Sequence, residues 1–432
     1  MPGTSNIEFP ATADFRLDDW LRWQESLNPR LVDLGLDRCA RVAARMGLEA
    51  LPMPVVTVAG TNGKGSCIAY LTGILEGAGH PVAAYTSPFL VRYNESLRLY
   101  GREVEDGELI AAFENVERAR ERVALTFFEF RTLAAMDIIR RSQAAVALLE
   151  VGLGGRLDAV NLMDADVAVV TSVDLDHTDW LGPDRESIGR EKAGIFRSGR
   201  PAVCADPSPP VSLVEHARTL GADLHAIGCE FSWRQDGPGW SWQGPGTGYR
   251  HLPAPGMGGA FQHRNAAAAL MALQLLGPSL AVDGLAVREG IANAWLPARQ
   301  QILAGAVERV IDVAHNAEAA RALAATLAAR PPARRTHAVF AMLADKDATT
   351  VAGALDGLVD EWHTATLPGP RGQSGERLAD GLRRQFPGHP VSVHADVAGA
   401  WTAVLAAARR GDRVVAFGSF LTAREVLSVE NG

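Results

Sequence analysis

Val55-Val56-Thr57-Val58-Ala59-Gly60-Thr61-Asn62-Gly63-Lys64-Gly65-Ser66 is the stretch on which the reading of this chain turns. A β-branched run enters a glycine-rich turn, and an apolar-periodic segment follows over residues 67–78, so the order is strand, loop, helix. Glycines let backbone N–H groups face an anion, a helix N-terminus adds positive potential, and the Lys64 amine can reach a terminal phosphate. The strict G-x-x-x-x-G-K-[ST] spacing is not met, because only two residues separate Gly60 from Gly63 and Gly65 follows the lysine. An ordinary glycine-rich turn with a solvated lysine is the bland alternative. The coincidence of strand, loop, lysine and helix favours phosphate.

Outward from this loop, residues 82–86 follow Gly79 and Pro81 as a second strand and complete a βαβ unit. Further strands are expected at 145–151 and 167–172 and a helix at 128–141, which favours a parallel sheet. Ligands of such sheets gather beyond the carboxyl ends of the strands, where Ser87, Glu150 and His177 fall. A carboxylate at Glu150 suits a hard cation such as magnesium, and Gly152 to Gly155 permit close approach of a substrate. Taken singly, Glu150 is as well read as an edge carboxylate, His177 as a surface histidine and Lys192 as an exposed helix lysine; each gains weight only from its companions.

Residues 232–255 are rich in Gly, Trp, Pro and Ser and read as hairpins, their tryptophans covering a small sheet more readily than forming a stacking surface. Helices resume at 264–276 and 282–294. The pattern breaks at Leu296-Pro297-Ala298-Arg299, and a second alternation begins: strands at 307–313, 337–342, 362–367, 391–394 and 413–417, helices at 318–329, 348–358, 375–385 and 397–409. The expected fold is therefore α/β in two domains. Residues 1–298 form a P-loop-type, mostly parallel sheet with helices on both faces and a small β-rich region; residues 299–432 form a Rossmann-like domain. In the latter, Asp312-Val313-Ala314-His315-Asn316 ends a strand and opens a helix, which suits a ribose contact for Asp312, with an N-cap role for Asn316 equally open. Arg299 can offer a cation across the cleft.

Composition bounds the function. At 432 residues the chain is long enough for two cores. With 42 basic against 50 acidic residues the net charge is -8, which leaves room for a local phosphate pocket but argues against nucleic acid as a partner. Cys39, Cys67, Cys204 and Cys229 form no C-x-x-C pair and read as isolated structural thiols of a reducing compartment. Met1 to Pro10 shows no basic segment followed by an apolar run, and no membrane-length apolar stretch follows, so a cytoplasmic protein without membrane partners is expected, monomeric by default.

Together the motifs resemble the folylpolyglutamate synthase and dihydrofolate synthase family of the Mur-ligase superfamily, most closely its bacterial bifunctional members. Asp33-Leu34-Gly35-Leu36, the Gly60 loop, Thr86-Ser87-Pro88, Thr126-Phe127-Phe128-Glu129, the segments 150–158, 176–182 and 190–195, Asp312 to Asn316, Asp345-Lys346-Asp347, Gly369-Pro370-Arg371-Gly372 and Gly418-Ser419-Phe420 carry the likeness along nearly the whole chain. The resemblance implies ligation of L-glutamate to dihydropteroate and to tetrahydrofolate, with ATP and magnesium, two ions in all, through an acyl phosphate. It implies that Thr61, Asn62, Gly63 and Lys64 hold ATP phosphates, with Asn265, Arg299 and Asp312 completing the nucleotide site. Ser87, Glu150 and His177 would hold magnesium, and Lys192, if carbamylated, would help hold a second ion. Lys64, Glu150, His177 and Lys192 would make up the catalytic set. The folate-type substrate would lie along Asp33, Leu34, Gly35 and Leu36, Thr126, Phe127, Phe128 and Glu129, and Leu157, Asp158 and Ala159, with His315 a further contact. Phe89, Ala298 and Ala317 depart from the family's usual histidine, glycine and proline. A Mur-type ligase acting on another carboxylate, or a non-catalytic ATP-binding regulator, are the alternatives.

Overall fold

The computed structural model describes residues 15–30 and 32–431; the sequence reading of Met1 to Pro10 lies outside them. The first sheet comprises β1 (Val55–Ala59), β2 (Val82–Tyr85), β3 (Leu97–Leu99), β4 (Arg102–Glu103), β5 (Val146–Glu150), β6 (Val167–Val170), β7 (Pro201–Cys204) and β8 (Asp223–Ala226). Its order is β4-β3-β2-β5-β1-β6-β7-β8, parallel except where β3 pairs antiparallel with β2 and with β4. β1 lies at the centre, between β5 and β6, and every one of its residues is buried.

Alternation of side chains sends β1 into two cores. Val55 and Ala59 face the helices Leu17–Ser26, Asp37–Met46, Asp106–Arg120 and Phe127–Arg141. Val56 and Val58 face Lys64–Gly77, Gln262–Leu276 and Gly284–Asn293. On the first face Trp20 is fully buried, its ring 5.9 Å from Phe113 and 6.4 Å from Phe130. On the second lies the antiparallel sheet of β9 (Ser232–Asp236), β10 (Gly239–Gly244) and β11 (Thr247–Leu252). Its Trp240 and Trp242 are buried and donate to Pro253 O (2.8 Å) and Ala267 O (3.2 Å), as expected of tryptophans that cover a sheet.

The second sheet comprises β12 (Gln301–Leu303), β13 (Glu308–Ile311), β14 (Thr336–Phe340), β15 (Glu361–Ala365), β16 (Val391–His394) and β17 (Arg413–Phe417), in the order β12-β13-β17-β14-β15-β16. Only β12 runs antiparallel to its neighbour. Helices Ala317–Ala328, Ala348–Gly353, Gly375–Gln385, Val397–Ala407 and Phe420–Asn431 flank it, enclosing one apolar core on each face. The helix expected over 348–358 stops at Gly353, and Gly357 in the left-handed region (φ +71°) turns the chain toward β15. The cysteines are all free, but Cys229 is exposed, which corrects its reading as a packed structural thiol. No helix among the described residues is long and apolar enough to cross a membrane.

Candidate active site

The Gly60 loop is stitched to the end of β6. Thr61 N donates to Ser172 O (2.8 Å), Asn62 N to Ser172 Oγ (3.1 Å), and Thr61 Oγ1 both donates to Asp174 O and accepts from Asp174 N, at 3.0 Å each. A Cβ on Gly60 would lie 1.9 Å from Thr171 Oγ1, and one on Gly63, which has φ +87°, 2.5 Å from Asn265 Oδ1. Both positions therefore require glycine, and the bare backbone turns toward the helix that starts at Lys64. Lys64 Nζ folds back to donate to Gly60 O (3.0 Å) and Thr61 O (3.3 Å), which holds a cation over the turn. These features fit a bound phosphate.

Ser87, Glu150 and His177 follow β2, β5 and β6 respectively. Glu150 pairs in register with Val58 and accepts from Ser87 N at 3.1 Å. Burial pushes its carboxyl up, against the pull of Lys64, the Ser87 amide and Arg299, so it is an acid in want of positive charge. His177 starts a short helix from a left-handed backbone (φ +52°), and burial pushes its imidazole down to about 4, so the neutral ring can act as a ligand. This donor set suits a divalent ion. Lys192, 3 % exposed on the helix Arg185–Ala193, is pushed down to about 7 by burial and then by the Lys64 charge. A large share of its amine is therefore uncharged at neutral pH, the form that carbamylation requires.

The second domain meets the loop through side chains. Asn62 and Asn316 exchange amide hydrogen bonds at 3.1 Å each, and Asn62 also donates to Glu318 Oε2 (2.6 Å). Asn316 caps the helix Ala317–Ala328 through Ala319 N (3.0 Å) and donates to Asp176 Oδ2 (3.0 Å), so the capping role is joined by one at the domain seam. Lys346 pairs with Asp176, Arg321 with Asp174 at 2.6 Å, and His315 Nε2 lies 3.6 Å from Asp176. Burial alone would raise Asp176, but His315, Lys346 and His177 hold it well below the usual carboxylate range. Asp312 is engaged with backbone: its oxygens accept from Gln300 N (2.8 Å) and Ala314 N (2.6 Å), so its observed task is to fix the chain between the domains. Burial pushes it up to about 6, against Arg299. The Arg299 guanidinium lies over the Phe420 ring at 5.0 Å.

The segments singled out for substrate are also brought together. Thr126 and Glu129 form a capping box, with Thr126 Oγ1 accepting from Glu129 N (3.2 Å) and Glu129 Oε2 from Thr126 N (2.8 Å). Arg38 reaches Glu129 (2.9 Å) and Asp33 (2.8 Å), which ties the half-buried segment from Asp33 through Leu34, Gly35 and Leu36 to the helix Phe127–Arg141. Phe128 lies where a Cβ on Gly152 would be, 2.5 Å from its ring. Asp158 closes the glycine loop by accepting from Leu153 N (2.8 Å) and Val160 N (2.9 Å), between half-buried Leu157 and buried Ala159.

Two groups escaped the sequence reading. Glu318 is one acid in a helix's first turn, and Arg131 one base within a helix; only their tertiary neighbours distinguish them. Buried Arg131 has the rings of Tyr85, Phe89, Tyr93 and Phe128 at 5.5, 5.8, 5.3 and 6.0 Å. Phe89 thus belongs to an aromatic enclosure of a guanidinium. Beside Asp33 opens a cavity of about 640 Å³ walled by Arg30, Arg38, Arg41, Arg45 and Arg122, an anion-attracting surface.

A phosphate loop and a Glu–His–Ser donor set on one sheet, faced by a second doubly wound domain, define an ATP-dependent ligase of the Mur type. A family model described as Mur ligase, glutamate ligase domain, matches residues 298–420. The chain is 45 % identical over 413 residues to a dihydrofolate synthase/folylpolyglutamate synthase of Escherichia coli, covering 96 % of this chain and 95 % of that one. It superposes with TM-score 0.92, at 44 % identity and over 97 % and 98 % of the two chains, on Escherichia coli FolC in complex with DHPP and ADP. A bifunctional folylpolyglutamate synthase/dihydrofolate synthase with Mn, AMPPNP and L-glutamate bound gives TM-score 0.90, at 41 % identity over 97 % and 99 %. The chain belongs to the dihydrofolate synthase/folylpolyglutamate synthase family, whose members are ADP-forming ligases.

Proposed function

We propose that the chain joins L-glutamate to dihydropteroate, giving dihydrofolate, and to tetrahydrofolates, lengthening their glutamate tails, with ATP converted to ADP and phosphate. ATP and a divalent metal are its cofactors. Relatives solved with ADP and DHPP, or with AMPPNP, Mn and L-glutamate, hold the same classes of ligand. We assign the phosphates to Thr61, Asn62, Gly63 and Lys64, with Asn265, Arg299 and Asp312 around the nucleotide. The metal is assigned to Ser87, Glu150 and His177, with Lys192 as a carbamate at a second ion, and the pterin-bearing substrate to the segments around Asp33, Thr126 and Asp158. We place the domain boundary between residues 298 and 299, and the protein in the cytoplasm as a monomer.

The observation that carries this reading is the position of Lys64, whose charge acts on Glu150, His177, Lys192 and Asp158 together. A carboxylate becomes a usable acyl donor once its oxygen carries a phosphoryl group. The glutamate amine then attacks the acyl carbon, the C–O bond to phosphate breaks, an amide forms and the amine's proton is lost. A divalent ion at Glu150 would supply charge neutralisation between phosphate oxygens. Lys64 positions the transferring group and offsets its negative charge, and the seam between the domains excludes water from the mixed anhydride.

The test is glutamate-dependent phosphate release from MgATP, run in parallel with dihydropteroate and tetrahydrofolate. Turnover with both is expected, and Lys64→Ala should lower kcat by about 10²–10³ or more. Folded protein that binds ATP yet is silent with both acceptors would overturn the reading.

A further inference from the structure

We infer that His337, Glu361 and His363 form a binding site for one zinc-class divalent transition ion at the base of the second sheet, remote from the ligase site. His337 is the second residue of β14, Glu361 the first of β15 and His363 its third. Parallel pairing sets His337 opposite Glu361, and residues two apart on a strand share a face, so all three side chains project from one side of the sheet. This is the face of Val339, Ala341 and Ala365, which are apolar and buried beside the helix Val397–Ala407. The positions at the strand starts would bury apolar side chains on the same pattern, yet they carry two imidazoles and a carboxylate. Asp312 and His315 follow β13, at the opposite end of the sheet.

His337 is 7 % exposed and neither ring nitrogen makes a hydrogen bond among the described residues; Nε2 of the equally buried His363 is also without one. Unpaired nitrogens in such surroundings cost free energy unless something binds them. What faces them is a ligand set. His337 Nδ1 lies 3.3 Å from Glu361 Oε2 and His363 Nε2 lies 3.5 Å from Glu361 Oε1, and one donor atom from each residue falls within 4.8 Å of the others. An ion bound at about 2.0–2.1 Å in tetrahedral geometry places its donors about 3.4 Å apart, so the widest pair closes by at most about 1.4 Å.

The second nitrogen of each imidazole is also provided for. His337 Nε2 faces Asp412 Oδ2 at 3.6 Å, and Asp412 is anchored by Arg334 at 2.6 Å and by Arg409 N at 2.7 Å. His363 Nδ1 is hydrogen-bonded to His394 Nε2 at 3.2 Å. Metal-bound imidazoles are oriented in this way, by an outer carboxylate or polar group on the nitrogen that does not bind the ion. Two nitrogens and a carboxylate select zinc, cobalt or nickel over magnesium or calcium, which prefer all-oxygen shells. Half-buried Glu361 leaves room for a water as the remaining ligand. The ion would fasten β14 to β15 where the strands begin.

The test uses the full chain, stripped with a chelator and held in excess magnesium so that the ligase site is not available to the probe. Zinc is titrated in competition with a chromophoric chelator, and cobalt absorption is recorded on wild type, His363→Ala and Glu361→Gln, with glutamate ligation as the check that each variant is folded. Wild type should bind about one ion per chain with the absorption of a low-coordinate nitrogen–oxygen site. Both variants should lose that ion and its thermal stabilisation while retaining ligation. Absence of bound zinc in wild type, or equal binding by an active variant, would overturn the site. If His363→Ala does not fold, Glu361→Gln, which keeps the buried imidazoles and the shape of the side chain, decides alone. Because ligation is measured separately, failure of the zinc site leaves the ligase reading untouched, and the converse holds.

Discussion

Ala298 has a left-handed backbone (φ +54°) that glycine adopts freely, and its methyl is fully buried in the second domain's core. Replacing it with glycine would relieve about 1–2 kcal/mol of backbone strain, but would forfeit roughly 0.8 kcal/mol of methyl burial and about 0.4–1 kcal/mol through a freer unfolded chain. Ala298→Gly should therefore lie within about 1 kcal/mol of wild type in urea unfolding, whereas Ala298→Val, β-branched and overpacked, should cost about 2 kcal/mol or more. A well-tolerated valine would mean that this linker yields easily. Asp312, two residues inside the same connection's far end, responds to pH. Its folded value of about 6 lies above the unfolded range near 3.9. Between these values the folded state holds the extra proton, so the group's contribution to stability declines as pH rises from about 4 to 6, and its burial cost is fully present above 6. The stability of wild type relative to Asp312→Asn should fall over that window, and a pH-independent difference would place the charge in solvent.

The helix Ala317–Ala328 starts at Ala317, where Asn316 is extended (φ −137°, ψ 169°) and caps Ala319 N. Proline is tolerated at a first helical position, its predecessor must be extended, and the Ala317 amide has no hydrogen bond among the described residues to lose. Ala317→Pro should stabilise the protein by about 0.4–1 kcal/mol, seen as a higher denaturant midpoint with an unchanged slope; destabilisation would show that proline disturbs the Asn316 bonds to Asn62 and Asp176. How far such elements were legible depended on burial. β1, β5, β6 and β14 are continuous apolar runs bounded by turn residues, so the central strands could be located from sequence. The short antiparallel pair β3 and β4 carries exposed Arg98 and Arg102, and the helices Asp106–Arg120 and Arg185–Ala193 are heavily charged, so their patterns are too mixed to stand out. At the site, residues that interrupt a strand-to-helix turn, such as Gly63 and Lys64, announce themselves by type and spacing. Arg131 and Glu318 do not, because what sets them apart are aromatic rings from two other elements and an asparagine 256 residues away in sequence.

The two domains meet through polar groups: Asn62 with Asn316 and Glu318, Asp174 with Arg321, and Asp176 with Lys346. An interface of this kind favours one relative position without locking it, since each ion pair can be exchanged for water. It also presses Glu318 against the loop assigned to phosphates, and the carboxylate would oppose an arriving triphosphate. Nucleotide binding should therefore exchange the Asn62–Glu318 contact for one to phosphate, with the domains adjusting around Arg299 and Asp312. The Lys346–Asp176 pair is the strongest candidate for holding the present arrangement, because both side chains are about nine-tenths buried and Asp176 gathers His315 and Asn316 as well. Removing the lysine leaves a buried carboxylate short of charge and costs more than an exposed pair would. In small-angle scattering without ligand, Lys346→Ala combined with Arg321→Ala should increase the radius of gyration, and high salt should move wild type in the same direction by a smaller amount. An ATP analogue with a folate acceptor should return the variant toward the wild-type curve, with a raised KM for ATP and a smaller change in kcat. Identical scattering of variant and wild type, together with an unchanged KM, would show that apolar contacts and the linker, and not this charged seam, set the position of the second domain.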